Sequence, residues 1–432
     1  MTSVGGAYTA YAEGTEGAAV NSAAPAVRVP YSTSWFDYDF AVGVSFPGAF
    51  TDTDFDNHGD QFAPSHARAG DFLDVNLGLT LQFGNLGVAV TGDLQQFSLT
   101  TPTPGTPGLT MQIGRWKALA AYGLFDGQLV VGGGARILTM QILQARGGSL
   151  LTMSGASPEA GALLMPTGSP WRLGVTARAP VSGGAIGSGQ VSTDANGVRN
   201  VGSFVLPSSV VMPWEAEVGF AYQLGPRPLN PGWENPHDQE AALRREIARD
   251  RAARRRDYEA ELAQLPPDRR EARRAEQARE EAAVRDLEDE HLDEESARLR
   301  AERQARYANW PREKILLLAS VLMTGPSASA VSLEGFLDQE EETVGQQVSF
   351  TPRLGLEGEP IQNRMLLRAG TYLEPSRYES GTARQHFTFG TDLRLFHLDF
   401  WGLLPPATWK LELFADLAPR YSNWGIGIGN WH

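Results

Sequence analysis

The sequence predicts an all-β fold, an antiparallel transmembrane β-barrel of about fourteen strands with a compact non-strand N-terminal segment and an inserted α-helical hairpin. Three observations predict it. Apolar and polar residues alternate with period two through both halves of the chain. Connections alternate between tight turns and long polar loops, as outer-membrane barrels arrange them. Asp, Glu, Arg and Lys stand mid-strand on the polar faces, which suits a wet lumen and is excessive for the surface of a soluble sheet.

The unit is clearest at Asp71–Phe97. Leu73, Val75, Leu77, Leu79, Leu81 and Phe83 fall on one face, and Asp74, Asn76, Gly78, Thr80 and Gln82 on the other, because successive side chains leave a strand on opposite sides. Gly84-Asn85 supplies a tight hairpin turn. Leu86, Val88, Val90 and Leu94 then alternate with Thr91, Asp93 and Gln95. In a soluble sandwich the apolar face would be core; in a membrane barrel it meets lipid.

In chain order, residues 1–30 read as a compact non-strand segment, 31–232 as strands one to eight, 233–311 as a charged helical insertion and 312–432 as strands nine to fourteen. Val4–Val29 is Gly/Ala-rich and without strand periodicity. Tyr31–Phe50 opens the strand series with Trp35, Phe36, Tyr38 and Phe40, a cluster that suits either a membrane–water girdle or ordinary packing. After the polar loop Thr51–Arg68 and the first hairpin, Thr100–Gly108 is a loop, Leu109–Phe125 a strand, Asp126-Gly127 a turn and Gln128–Gln144 the return. Ala145–Ser157 reads as a loop, Glu159–Leu164 as a strand, Gly168 as a turn, and a long strand starts at Trp171. Phe204–Leu224 returns after the polar loop Thr193–Val201. The C-terminal part repeats the pattern: Val348–Leu356, a turn at Gln362-Asn363, Met365–Tyr372, Phe387–Leu395 and Leu411–Leu417.

Composition narrows the partners. A net charge of −14 argues against nucleic acid. With no Cys there is no disulfide or thiolate metal site. No apolar run reaches the ~20 residues of a membrane helix, so a membrane role requires strands. Met1–Val4 is too short for a signal peptide and lacks its basic region, so an exported form reads as starting here. Asp52, Asp54, Asp56 and Asp60 have calcium-loop spacing, but Asn57 and Ala63 replace the Gly and Glu such a loop needs, and a solvated acidic loop is the expectation. The seven His lack metal spacing, and no G-x-S-x-G or phosphate loop is present, so neither an enzyme nor a cofactor is expected.

Asp238–Arg306 breaks the pattern: it is rich in good helix formers, has no Gly, and is divided by Pro266-Pro267. Its two parts predict helices of about 40 and 60 Å at 1.5 Å per residue. It reads either as a solvated hairpin held by Glu–Arg pairs worth about 0.2–0.5 kcal/mol each or as a docking arm. Leu243, Ile247, Tyr258, Leu262, Leu287 and Leu299 are the candidates for binding a partner. Counting strands puts the arm at the tight-turn end, which is the periplasm of a Gram-negative outer membrane.

The stretch GGAYTAYAEGTEGAAVNSAAPAV resembles the N-terminal hatch of the FadL-type outer-membrane transporters. Asn21 keeps the family's Asn, while Ser22-Ala23-Ala24-Pro25 stands where members read Pro-Ala-Gly. Leu206-Pro207 leading into Glu217–Gln223, RLGLEGEPIQNRMLLRAGTYLEPS at Arg353–Ser376, and the FTFGTDLRL that follows extend the resemblance. It implies a hatch-plugged barrel in outer-membrane lipid that transports or binds a hydrophobic small molecule, with Tyr8, Tyr11, Asn21, Ser22 and Pro25 as ligand and hatch candidates. A sister group, the shuttle barrels of type IX secretion, implies the alternative. That alternative is a scaffold anchoring a secretion, motility or polymer-export complex to periplasmic or outer-membrane partner proteins through the arm.

Overall fold

A computed structural model of the protein describes residues 1–48, 53–59, 73–99, 109–144, 148–187, 192–193, 199–201, 204–327, 330–332, 335–336, 342–379, 381–398 and 404–431. The alternating segments form fourteen antiparallel barrel strands, each paired with its neighbours in sequence. They are β1 (Phe36–Ser45), β2 (Leu73–Phe83), β3 (Leu86–Leu99), β4 (Leu109–Leu124), β5 (Leu129–Gln144), β6 (Ser149–Leu164), β7 (Trp171–Arg178 continuing as Val181–Gly187) and β8 (Ser209–Met212 continuing as Glu215–Leu224). After the insertion come β9 (Ile315–Thr324), β10 (Ser349–Ile361), β11 (Met365–Glu374), β12 (Arg384–Leu398), β13 (Ala407–Ala418) and β14 (Tyr421–Asn430). Closure is made by β14 on β1, with Val42 opposite Ile428. A closed sheet leaves no edge of unpaired N–H and C=O groups.

Three expectations need correction. The loop expected at Ala145–Ser157 is largely strand, because β6 starts at Ser149. Phe204–Leu224 is not one strand: Phe204–Leu206 pairs with Arg199–Val201, outside the barrel sheet. The alternation of turns and loops is not strict either, since Pro419-Arg420 is a tight turn at the long-loop end, with Arg420 at φ 57°. The turn after β4 falls at Asp126-Gly127 as expected: both are at positive φ (56° and 80°), the geometry that matches strand twist in a tight hairpin, and Gln128 N donates to Phe125 O at 3.1 Å.

β7 and β8 are interrupted at the same level. Arg178 pairs with Glu215 and Val181 with Met212, so the register runs unbroken across the gap. Pro180 and Pro213 occupy it, and a proline has no N–H to give a ladder.

Polarity is the inverse of a water-soluble protein's. Val218, Leu354 and Phe389 point outward and are 59%, 58% and 52% exposed, while inward-facing Glu217 and Asp392 are buried. Leu77 is also exposed on the outer face. The lumen itself differs from the wet channel expected of so polar a lining, because the N-terminal residues 1–29 fold into one compact unit with the barrel. This plug contains one short α-helix, α1 (Gly14–Ala18), and two single 3-10 turns, Thr2–Val4 and Ala24–Ala26. Its residues Val4, Ala12, Ala18, Ala23 and Ala24 are fully buried.

A second compact unit comprises residues 30–35 and 233–310. Here α2 (Pro236–Gln264) and α3 (Pro267–Ala308) form an antiparallel pair. Asn235 caps α2 by accepting a hydrogen bond from His237 N. Few apolar side chains are available, and charge sets the register instead. The run Arg244–Arg256 holds seven Arg and lies opposite Asp286–Glu295, which holds seven acids. Arg251 Nε donates to Glu288 at 2.5 Å, Arg254 joins the same carboxylate, and Arg273 Nε donates to Glu261 at 2.8 Å. Neither helix is long and apolar enough to cross a membrane.

Hydrogen bonds from Arg273 and Gln277 hold Glu261 below the usual carboxylate range. Burial would raise Glu288, but the bonds from Arg251 and Arg254 outweigh it and lower it. A carboxylate lowered in the folded state contributes stability above its unfolded value and loses it as pH falls through the folded one. The arm is therefore expected to lose helicity, measured by circular dichroism at 222 nm, as pH drops below about 4, while strand signal persists. An unchanged helical signal at pH 2–3 would mean that the pairs do not hold the hairpin.

Candidate functional site

The inward row of each strand from β4 to β6 is layered. From the long-loop end β4 reads Met111, Ile113, Arg115, Lys117, Leu119, Ala121. β5 reads Ile142, Met140, Leu138, Arg136, then Gly134, Gly132 and Val130. β6 reads Leu151, Met153, Gly155, Ser157, Glu159, Gly161, Leu163. The top layer is apolar, the middle charged, and the lowest small where the plug sits. The outward residues beside the top layer are Gln112, Gln141 and Thr152, so polarity there is reversed relative to the rest of the barrel. That reversal marks a stretch whose interior is oily and whose exterior suits water.

Met111, Ile113, Leu138, Met140, Ile142, Leu151, Met153, Val181 and Leu206 make one buried cluster, against which Met212 and Phe336 pack. Beside it is a cavity of about 260 Å³ bounded by Ala19 and Val20 of the plug and by Met212 and Leu322. Five cations line it, Arg115, Lys117, Arg136, Arg178 and Arg353, against two carboxylates, Glu215 and Glu217. Glu159 and Asp93 supply further partners, at 3.4 Å from Lys117 and 3.3 Å from Arg115.

Arg136 fills the gap in the wall. Its Nε donates to Ser157 Oγ (3.2 Å), its Nη2 to the carbonyls of Ala179 (2.6 Å) and Pro213 (2.7 Å), and its Nη1 to Glu215 (3.1 Å). The two carbonyls belong to the interruptions of β7 and β8, whose missing ladder bonds one guanidinium replaces.

The plug is irregular, and a buried irregular backbone needs partners. The lumen wall supplies them. Gln82 Nε2 donates to Pro25 O (2.9 Å) and Val27 O (2.8 Å), Lys117 Nζ to Ala19 O (2.7 Å), and Thr388 Oγ1 accepts from Gly5 N (2.8 Å). Arg172 pairs with Glu13 at 2.5 Å and Lys410 with Glu16. From Lys410 alternating charges run through Asp392 (3.0 Å), Arg368 (2.8 Å) and Glu357 (2.8 Å) to Lys314 (2.6 Å). The chain's three lysines, 117, 314 and 410, thus all serve the lumen. Close approach needs glycines: a Cβ on Gly87 would lie 2.0 Å from Pro25 O, on Gly132 2.0 Å from Ser22 O, and on Gly174 2.2 Å from Thr9 O.

Of the residues singled out from the sequence, Tyr8 and Tyr11 line a polar void of about 30 Å³, room for a water, together with Glu13, Glu16, Lys314 and Arg368. Asn21, Ser22 and Pro25 are contacts between plug and wall: Asn21 Nδ2 donates to Thr9 O (3.0 Å) and Ala162 O (3.3 Å), and Ser22 Oγ to Glu159 (2.8 Å). The 260 Å³ cavity lies beside Ala19 and Val20, which the sequence did not single out. Leu243, Ile247, Tyr258, Leu262 and Leu299 are half-buried in the arm, and Leu287 is 65% exposed. In the acidic loop Asp52 and Asp60 lie outside the described residues. Asp54 is not solvated: it is buried, accepts from His58 N (2.9 Å) and Gly59 N (3.3 Å), and stands 3.8 Å from Arg384. The layering of β4–β6 was visible in the sequence as Met and Ile on positions that polar residues hold elsewhere, but reading it needs the inward face to be known.

No family model matches this chain, and no curated protein matches it. Among solved structures it is similar to the CymD monoaromatic hydrocarbon channel, at 10% identity and a TM-score of 0.48, covering 99% of this chain and 94% of that one. It is similar to the toluene transporter TodX of Pseudomonas putida, at 12% identity and a TM-score of 0.47, covering 99% and 96%. It is also similar to a Pseudomonas aeruginosa FadL homologue, at 10% identity and a TM-score of 0.46, covering 96% and 93%.

Proposed function

We propose that this chain is an outer-membrane barrel of the FadL-like type that binds and passes an amphipathic small molecule, its apolar part in the Met-rich cluster and its compact anionic head in the cation-lined cavity. The observation that carries the reading is the reversed layer of β4–β6, an oily interior directly above five cations. Methionines adapt their shape to a guest at little cost. The cavity is at the small end for a ligand site, so it fits a head group while the tail displaces side chains of the cluster. The outward apolar surface supports placement in lipid, and the tight turns then face the periplasm.

Binding of decanoate and of decanol to the full chain in non-ionic detergent tests this. A charge-assisted hydrogen bond is worth about 1.5–3 kcal/mol, so the carboxylate is expected to bind about tenfold or more tighter. Equal affinities would reject the anionic head, and no binding of either would reject the chamber.

A second reading, a scaffold for an envelope-spanning complex, draws support from the arm, whose outer faces are exposed and charged along their length. The arm has no evident part in binding a small molecule.

A further inference from the structure

The two outer faces of the arm carry opposite charge at the same height. On α2, Arg245, Arg249 and Arg256 are spaced i, i+4 and i+11, which puts them on one side of the helix. All three are exposed, and Arg245 and Arg256 bond only to carbonyls of their own helix, Ala241 and Ala252. On α3, Asp286, Glu290 and Asp293 follow i, i+4 and i+7; they are exposed and make no ion pair among the described residues. The inner faces are spoken for: Arg251 and Arg254 of α2 meet Glu288 of α3. That contact also fixes the heights, because it places residues 245–256 alongside 286–293. One side of the arm is therefore basic and the opposite side acidic over the same stretch.

We infer that the arm is a self-association surface, and that its partner is the arm of a second copy of this chain. Two arms lying side by side and parallel bring the Arg245–Arg249–Arg256 face of one against the Asp286–Glu290–Asp293 face of the next, in register. Copies inserted in one membrane share an orientation, so parallel arms are what they would present; this step rests on the membrane reading above. The contact is heterologous, leaving one basic and one acidic face free, so it extends to rings or rows beyond a pair. It is made by exposed charges and therefore weakens with salt.

The test uses the full chain in non-ionic detergent, its mass read by native mass spectrometry and sedimentation at about 50 mM and about 500 mM NaCl, where screening lengths differ severalfold. Wild type is expected to shift from two or more chains at low salt to one at high salt. The variants D286K/E290K/D293K and R245E/R249E/R256E each carry like charges on both faces and are expected to be monomeric alone. Mixed in equal amounts they are expected to associate with each other, since every face then has a complement. Helicity at 222 nm should stay at the wild-type level, because none of the six side chains belongs to the inner pairs. Wild type that is monomeric at both salts overturns the inference. So does a variant that stays associated, a mixture that does not associate, or a monomer that instead captures a different envelope protein through these faces. Decanoate binding is read separately, so its failure and the failure of self-association are told apart.

Discussion

Gly87→Leu combined with Gly132→Leu is expected to unseat the N-terminal plug and turn a closed barrel into a leaking one. The strands carrying these glycines are neighbours of those that hold the plug by hydrogen bonds. An added Cβ on either would meet a plug carbonyl, Pro25 O or Ser22 O, at 2.0 Å, well inside contact distance. The obstruction is backbone, so no side-chain rotation relieves it. Either the strand bends, against its ladder, or the plug moves away. The plug segment at residues 22–27 is the weaker element, since side-chain hydrogen bonds such as Gln82 to Pro25 O and Val27 O and Ser22 to Glu159 hold it, against a continuous strand ladder. Overpacking costs about 1–3 kcal/mol per site, and the two sites lie under the same plug segment. Single-channel conductance in planar bilayers is the measurement: wild type closed, the double variant conducting. Gly184→Ala is the matched control, because nothing lies within 4 Å of a Cβ there. A double variant that keeps its heat-modifiable gel mobility and stays closed would show that the plug does not depend on these sockets.

Arg136→Ala is expected to loosen the wall where β7 and β8 are interrupted. Removing the guanidinium leaves Glu215 with Arg178 alone at 3.2 Å and strips the Ala179 and Pro213 carbonyls of the donor recorded above. Glu215 keeps Arg178 and the Ala179 carbonyl keeps the Ser157 hydroxyl at 2.8 Å, so the cost is that of leaving the Pro213 carbonyl without this donor, about 1–3 kcal/mol. Equilibrium unfolding in urea from lipid vesicles should show a loss of that order, with faster amide exchange confined to residues 178–187 and 209–215. Arg136→Lys keeps the charge but not the planar fork that reaches several acceptors at once, and it is expected to recover only part of the loss. A change within about 0.5 kcal/mol and unaltered exchange would mean that the gap closes without Arg136. Decanoate binding should weaken in both variants, since Arg136 also lines the cavity.

Much of the fold was legible because it is written locally. The alternation in Leu73–Phe83 places side chains on faces whatever the rest of the chain does. The pair Gly84-Asn85 turns the chain within two residues. Pro266-Pro267 divides the arm into α2 and α3. Errors fell where a distant partner decides. Residues 149–157 are rich in Leu, Ser, Thr and Met and read as a loop, yet β5 on one side provides the ladder that extends β6. Asp54 read as a solvated acid, yet Arg384, hundreds of residues later, stands beside it.

The sequence by itself determined that strands would form, which face of most is apolar, that the chain turns tightly at Gly84-Asn85, Asp126-Gly127 and Gln362-Asn363, and that a charged helical pair interrupts the series. Each of these depends on residues a few positions apart. Only the tertiary structure decided what the polar face is for. Closing the sheet brings Lys410 to Glu16, Gln82 to Pro25 and Arg172 to Glu13, and so turns an expected wet channel into the polar surroundings of a buried plug. It also put the gaps of β7 and β8 side by side beneath an oily layer. A lumen side chain's partner is set by the circumference of the closed sheet, and period-two alternation carries no information about that.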